Sequence, residues 1–109
     1  MTETTKKIAH LNDLLRDTFL TGRIIFTDGI NALPDDMREE IITRVREFKD
    51  FSPDNDPYGE HDFGSFELAG NKIFWKIDYY DKNYEFASEN PADPKQTRRV
   101  LTIMLASEY

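Results

Sequence analysis

The amino-acid sequence predicts an α+β fold, with three helices packed on a small antiparallel sheet of three to four strands in the order α-β-α-β-β-β-α. Apolar residues recur at intervals of three and four in two segments of the first half, which is typical of amphipathic helices. Later in the chain they alternate with polar residues, which is typical of strands joined by tight turns. The length of 109 residues suits one ordinary domain, so residues 1–109 are expected to fold as a unit.

The first half of the chain predicts two helices around a short strand. A helix is expected over residues 5–20, where the apolar stripe consists of Ile8, Leu11, Leu15 and Phe19. Gly22 ends this helix, and the β-branched and aromatic segment 23–27 predicts a strand. Pro34 and the two carboxylates after it favour the first turn of a second helix. The apolar face of that helix consists of Met37, Ile41, Val45 and Phe48.

The second half begins with a polar segment, 49–62, which predicts a loop. Three strands of a meander are expected after it, over residues 63–69, 72–80 and 84–88. Gly70-Asn71 is a two-residue hairpin signal between the first two strands. In the middle strand Ile73, Trp75, Ile77 and Tyr79 share one face, so this face of the sheet is expected to be buried.

The C-terminal segment predicts the third helix. Asp93 is a candidate N-cap, Pro94 would occupy the first helical position, and Gln96 would complete a capping box. The run from Val100 to Ala106 is apolar nearly all round. This helix is therefore expected to be the most buried one, packed between the sheet and another helix.

The composition excludes some classes of protein and indicates the cellular compartment. The chain has no cysteine, so a disulfide framework and a thiolate metal site are excluded. No apolar run approaches the roughly 20 residues that span a membrane. The N-terminal stretch lacks the apolar region of a signal peptide. A cytoplasmic protein without a membrane partner is the expectation.

The net charge of −7 is concentrated in one part of the chain. Segment 51–93 carries ten acidic and three basic residues, whereas residues 1–50 carry ten and eight and residues 94–109 carry one and three. A negative field disfavours direct binding to nucleic acid and favours a basic protein partner. Solubility alone is the alternative explanation of this charge.

The stretch SPDNDPYGEHDFG, from Ser52 to Gly64, concentrates the candidate chemistry. Read as a calcium loop that starts at Asp54, it places Tyr58 and Ser65 where two required oxygen ligands belong, so calcium is disfavoured. Glu60, His61 and Asp62 are adjacent and point in different directions in an extended chain, which disfavours a shared metal ion. A structural alternative is two successive turns, Ser52–Asn55 and Asp56–Gly59, that connect helix and sheet.

The favoured hypothesis is a protein-binding surface that combines carboxylates with aromatic side chains. The candidate partner-binding residues are Asp54, Asp56, Tyr58, Glu60, His61, Asp62, Tyr80 and Asp81. No catalytic residue, metal ligand or cofactor is assigned, so the protein is expected not to be an enzyme. The alternative is a small metal-binding protein or hydrolytic enzyme centred on the loop from Asp54 to Asp62.

Four blocks of the sequence resemble a small bacterial domain family of unknown function. They are GRIIFTDGI, NDPYGEHDFG, FWKIDYYD and NPADPKQTRRVLTIMLASEY, within a resemblance from about Asn12 to Tyr109. The resemblance implies a setting on plasmids and other mobile elements and offers no catalytic residues. Small acidic proteins in that setting resemble anti-CRISPR and anti-restriction inhibitors. The resemblance to the family therefore implies, by analogy, an anti-defence inhibitor that docks on a basic bacterial nuclease or CRISPR effector complex.

Overall fold

The computed structural model describes residues 2–109 and has an α+β architecture, as predicted. The helices are α1 (Glu3–Thr18), α2 (Asp28–Asn31) and α3 (Asp35–Glu47). The strands are β1 (Arg23–Phe26), β2 (Phe63–Leu68), β3 (Asn71–Tyr80) and β4 (Arg98–Leu105), and a short 3₁₀ helix follows at Ala106–Glu108. The sheet order is β1-β4-β3-β2. The sheet is mixed rather than purely antiparallel, because β1 runs parallel to β4.

The two amphipathic helices form where the periodicity predicts them. Thr2 caps α1 by accepting a hydrogen bond from the backbone N–H of Thr5, and the helix ends at Phe19 in the left-handed conformation. Asp35 and Asp36 lie in the first turn of α3, where carboxylates complement the helix dipole. Among the described residues, no helix has both the length and the apolarity that crossing a membrane requires.

The hairpin between β2 and β3 turns one residue earlier than predicted. Leu68 pairs with Asn71, so the turn residues are Ala69 and Gly70 rather than Gly70 and Asn71. Both have positive φ, 51° at Ala69 and 82° at Gly70. Two successive residues with positive φ are typical of a type I′ turn, whose twist matches that of the flanking strands.

The C-terminal segment is a strand, so the predicted third long helix is wrong. Arg98–Leu105 forms β4, which pairs with β1 on one side and with β3 on the other. β4 is buried on both faces, with Val100 and Met104 on one and Leu101 and Ile103 on the other. A strand buried on both faces reads as a continuous apolar run. The carboxylate of Asp93 accepts hydrogen bonds from the Lys95 N–H and the Gln96 amide, within a turn and not at a helix start.

The predicted third strand of the meander, 84–88, is also wrong. This segment forms only an isolated bridge, between Ala87 and Tyr80. Tyr84 has a φ of 58°, which is incompatible with an extended strand. The last strand of the antiparallel part is therefore β4, which takes the place beside β3 that the prediction gave to 84–88.

The core lies between the helices and one face of the sheet. Ile73, Trp75 and Ile77 of β3 are buried on this face, as the alternation predicts. Leu15 of α1 and the apolar face of α3 pack in the same cluster. The rings of Phe48 and Trp75 meet edge to face, with 5.5 Å between their centroids. Burial of this face fixes the register of β3 and so determines which polar side chains reach its end.

Candidate functional site

The loop between α3 and β2 contains the two predicted turns. In the first, the Asn55 side-chain oxygen accepts the Ser52 N–H at 2.8 Å, and the Asp56 N–H donates to the Ser52 carbonyl. In the second, the Gly59 N–H donates to the Asp56 carbonyl, and Gly59 has a positive φ of 70°. The loop is thus held by its own polar groups, which is the structural role expected of turn-forming residues.

Two of its carboxylates are directed into the protein. The Asp56 side chain is only 5% exposed, and its Oδ1 accepts the His61 N–H at 3.2 Å. Glu60 Oε1 accepts a hydrogen bond of 2.9 Å from the Tyr79 hydroxyl. These contacts hold the loop against the end of β3. Asp56 and Glu60 therefore have structural partners within the fold.

His61 has a partner that the sequence analysis missed. Its Nδ1 lies 2.9 Å from an oxygen of Asp13, on α1, and its ring stacks on Phe51 with centroids 4.0 Å apart. Its Nε2 lies 3.8 Å from Asp56. The imidazole thus links α1 to the loop between two carboxylates.

A buried polar network continues from this point across the sheet. The Asn12 amide nitrogen donates to the Tyr79 hydroxyl at 2.8 Å and to the Glu60 carbonyl at 3.0 Å. Its oxygen accepts from Arg99 Nε at 2.8 Å. Burial raises the pKa of Tyr79 and lowers that of Arg99. The hydrogen bonds hold these side chains in position, because a buried polar group that loses its partner lowers the stability of the fold.

The sequence contains a signal for two buried polar residues of α1, Asn12 of this network and Arg16. Asn12 and Arg16 are four residues apart and adjoin the apolar stripe of α1, so both face the core. Arg16 donates to the carbonyls of Val45 and Phe48 and to Asp13. A polar pair at helical spacing on an apolar face predicts buried partners. The identity of the partners depends on the tertiary fold.

Asp62 and Tyr80 line a groove at the end of β3, together with Asp78 and Ala87, and we name this feature the acidic groove. Its volume is about 370 Å³. Burial raises the pKa of Asp62, and the neighbouring carboxylates of Glu60, Asp56 and Asp78 raise it further. Asp78 pairs with Lys76 at 2.9 Å. Within residues 2–109 no cationic side chain forms an ion pair with Asp62, although a contact with its own backbone N–H opposes this shift in pKa.

The eight candidate binding residues are distributed over several places on the surface. Asp56, Tyr58 and His61 line one pocket of the loop. Asp62 and Tyr80 share the acidic groove. Asp54 and Tyr58 lie on the exterior of the loop, where Tyr58 is 80% exposed. The Asp81 carboxylate accepts the N–H groups of Asn83 and Glu85 in its own turn. Asp56, Glu60 and His61 have the internal partners described above.

The geometry gives little support to a metal or hydrolytic centre in the loop. Glu60 is bound to Tyr79, and the His61 Nδ1 is bound to Asp13, so their side chains do not converge with Asp62 on one point. Across the part of the chain that the structure describes, no group of three His, Cys, Asp or Glu side chains is arranged to hold a metal ion.

The sequence of the chain matches one family of proteins. The family described as "Protein of unknown function (DUF3768)" matches residues 26–108, and the chain belongs to this family. The resemblance stated from the sequence blocks is thereby confirmed at the level of the family. No curated protein and no solved structure matches the chain.

Proposed function

We propose that this protein is a non-enzymatic, cytoplasmic binding module that uses the acidic groove and the exposed loop residues Asp54 and Tyr58 to dock on a basic protein. The partner class is a bacterial nucleic-acid-binding protein, such as a nuclease or a CRISPR effector complex. Binding there would block the nucleic-acid site, as anti-CRISPR and anti-restriction inhibitors do.

The observation that carries the proposal is that Asp62, among other carboxylates, has no cationic partner within residues 2–109. A half-buried carboxylate among other carboxylates destabilises the fold unless a cation reaches it. An arginine or lysine of a partner would relieve this repulsion and gain a charge-assisted hydrogen bond. Tyr58 adds an exposed aromatic side chain on the same loop, of the type that anchors protein interfaces.

The test begins with affinity capture from the native host and identification of the bound protein by mass spectrometry. The captured protein is then purified, and its affinity for the wild type is measured at about 0.05 and 0.5 M NaCl. We expect a basic protein whose affinity falls by at least about tenfold at the higher salt concentration, since exposed ion pairs are screened. Added inhibitor should also displace nucleic acid from this partner.

The double variant Asp54→Lys/Asp62→Asn tests the surface itself. It should weaken binding to the purified partner by roughly tenfold or more, because an interface charge is reversed and another is removed. The control Glu39→Lys/Glu47→Gln makes the same net change of charge at exposed positions of α3. Equal loss of affinity in both variants, or a partner whose binding is insensitive to salt, would contradict the proposed site.

A further inference from the structure

A second cleft adjoins the same loop at His61, and we name it the α1–α3 cleft. It is bounded by the second half of α1, by the end of α3 with the segment that follows it, and by His61. Its volume is about 490 Å³, which is within the range of small-molecule sites. The cleft and the acidic groove share no lining residue. They meet the loop at successive residues, His61 in the cleft and Asp62 in the groove.

Aromatic and aliphatic side chains form part of the wall. Leu14 is 38% exposed although it is a large apolar residue, and Phe48 and Phe51 lie beside it in the cleft. The rings of Phe48 and Phe51 are 5.1 Å apart and meet edge to face. Such a surface offers favourable burial to a planar apolar group.

The charge of the cleft differs from that of the whole molecule. Arg16, Arg46 and Lys49 line it, against the two carboxylates of Asp13 and Asp17. Asp13 is already bound to Arg16 at 2.8 Å and to His61 at 2.9 Å. A protein of net charge −7 therefore presents a surplus of cationic groups at this one cleft.

Two of these cations are available to a ligand. Arg46 donates from Nε and Nη2 to the Asp17 carbonyl, at 3.1 and 2.7 Å, and this contact orients the guanidinium. Its Nη1 has no acceptor among residues 2–109. Lys49 is exposed and forms no ion pair in the described chain. A guanidinium held by a carbonyl loses less entropy when it binds an anion.

From these observations we infer that the α1–α3 cleft binds small organic anions with an aromatic or apolar body. The anionic group would contact Arg46 and Lys49, and the body would pack on Leu14, Phe48 and Phe51. The inference does not depend on the acidic groove or on its protein partner.

The probe is 2-naphthoate, which carries one carboxylate on an apolar ring system. Titration of isotopically labelled protein should give saturable shifts of the backbone amide resonances around Leu14, Arg46 and His61 in a ¹⁵N–¹H correlation spectrum. The neutral analogue 2-naphthamide should bind about tenfold more weakly, since hydrogen bonds to charged groups are the stronger ones. No saturable shift with 2-naphthoate, or equal affinity for the amide, would overturn the inference.

Two variants with matched charge changes locate the site. Lys49→Glu should weaken 2-naphthoate binding by about tenfold or more, because it replaces an attractive charge by a repulsive one. Lys82→Glu makes the same change at an exposed lysine in the turn after β3, outside the cleft, and should leave the affinity within about twofold. Equal losses in the two variants would mean that the anion responds only to net charge, and would overturn the cleft as its site.

Discussion

The side chain of Asn12 lies at the centre of a network whose members come from four parts of the chain. It is fully buried and bonds to the Tyr79 hydroxyl, the Glu60 carbonyl and Arg99. An amide is suited to this position because it donates and accepts at the same time. A carboxylate could not donate to the carbonyl, and an apolar side chain could do neither.

Replacement of Asn12 by Ala is therefore expected to destabilise the fold strongly. It removes a hydrogen-bond partner from the Glu60 carbonyl, the Tyr79 hydroxyl and Arg99 Nε, although Tyr79 keeps its bond to Glu60. Each buried polar group left unpaired costs about 1–3 kcal/mol, partly offset by entry of water. We expect the free energy of unfolding in urea to fall by roughly 2–4 kcal/mol. Asn83→Ala removes an exposed amide that has no such role and should change stability by less than about 0.5 kcal/mol. Similar effects in both variants would contradict the importance of the network.

Asp62 is expected to limit stability at neutral pH. Because its pKa is raised in the folded state, the folded protein binds the proton more tightly than the unfolded chain. The resulting stabilisation is present at acidic pH and is lost as the pH rises from the ordinary aspartate pKa through the raised one. Asp62→Asn should therefore unfold at a higher urea concentration than the wild type at pH 7.

The advantage of Asp62→Asn should disappear as the pH falls below the ordinary aspartate range, where the wild-type carboxyl is also neutral. Urea unfolding of both proteins over a pH series measures this directly. Asp54→Asn is the control, since that carboxylate is exposed, and its stability curve should run parallel to that of the wild type. An Asp62→Asn variant that is less stable at pH 7 would show that the charge has a stabilising partner.

At the scale of elements, β4 shows what a local pattern leaves undecided. A short apolar run fits either a buried helix or a strand covered on both faces. The turn chemistry of Asp93 and Gln96 favoured the helix, yet their hydrogen bonds close a turn only. Pairing with both β1 and β3 satisfies the backbone of Arg98–Leu105 on two sides. That outcome depends on partners in β1 that are 77 residues away and on partners in β3 that are 18 to 32 residues away, so no local pattern could predict it.

The β2–β3 hairpin stores backbone strain that a single substitution should relieve. Ala69 adopts a φ of 51°, which costs an L-residue with a Cβ about 1–2 kcal/mol, whereas Asn tolerates this region better. Ala69→Asn should therefore raise the free energy of unfolding by roughly 0.5–1 kcal/mol, as measured by urea denaturation. Ala32→Asn, at a φ of −79°, should give no gain. A gain of equal size at both positions would refute the explanation by backbone conformation.

At the scale of the whole molecule, tertiary structure decides which side chains share a site. The turns of the loop and the buried face of β3 can be predicted from the sequence because both depend on neighbouring residues. The position of Asp13 beside His61 cannot, since the two are 48 residues apart along the chain. Arg99 reaches Asn12 only because β4 lies beside β3. The inward direction of Asp56 and Glu60 likewise follows from partners that the sequence does not place nearby.

The uneven distribution of charge predicts how the whole molecule responds to salt. Its largest dimension is 38 Å, whereas the screening length falls from about 30 Å at 0.01 M salt to about 8 Å at 0.15 M. Repulsion within segment 51–93 is therefore felt at low salt and is suppressed at physiological salt. We expect the thermal midpoint to rise by roughly 3 °C between these conditions, which corresponds to less than about 1 kcal/mol for a domain of this size.

Two double variants with the same change of net charge test whether this salt effect originates in segment 51–93. Asp54→Asn/Asp62→Asn removes two carboxylates of that segment. Glu39→Gln/Glu47→Gln removes two exposed carboxylates of α3, which lies within residues 1–50, where ten acidic residues face eight basic ones. The first variant should lose more of the salt-induced rise than the second, as followed by circular dichroism during heating. Equal reduction in both would mean that total charge, and not its concentration around the acidic groove, governs the repulsion.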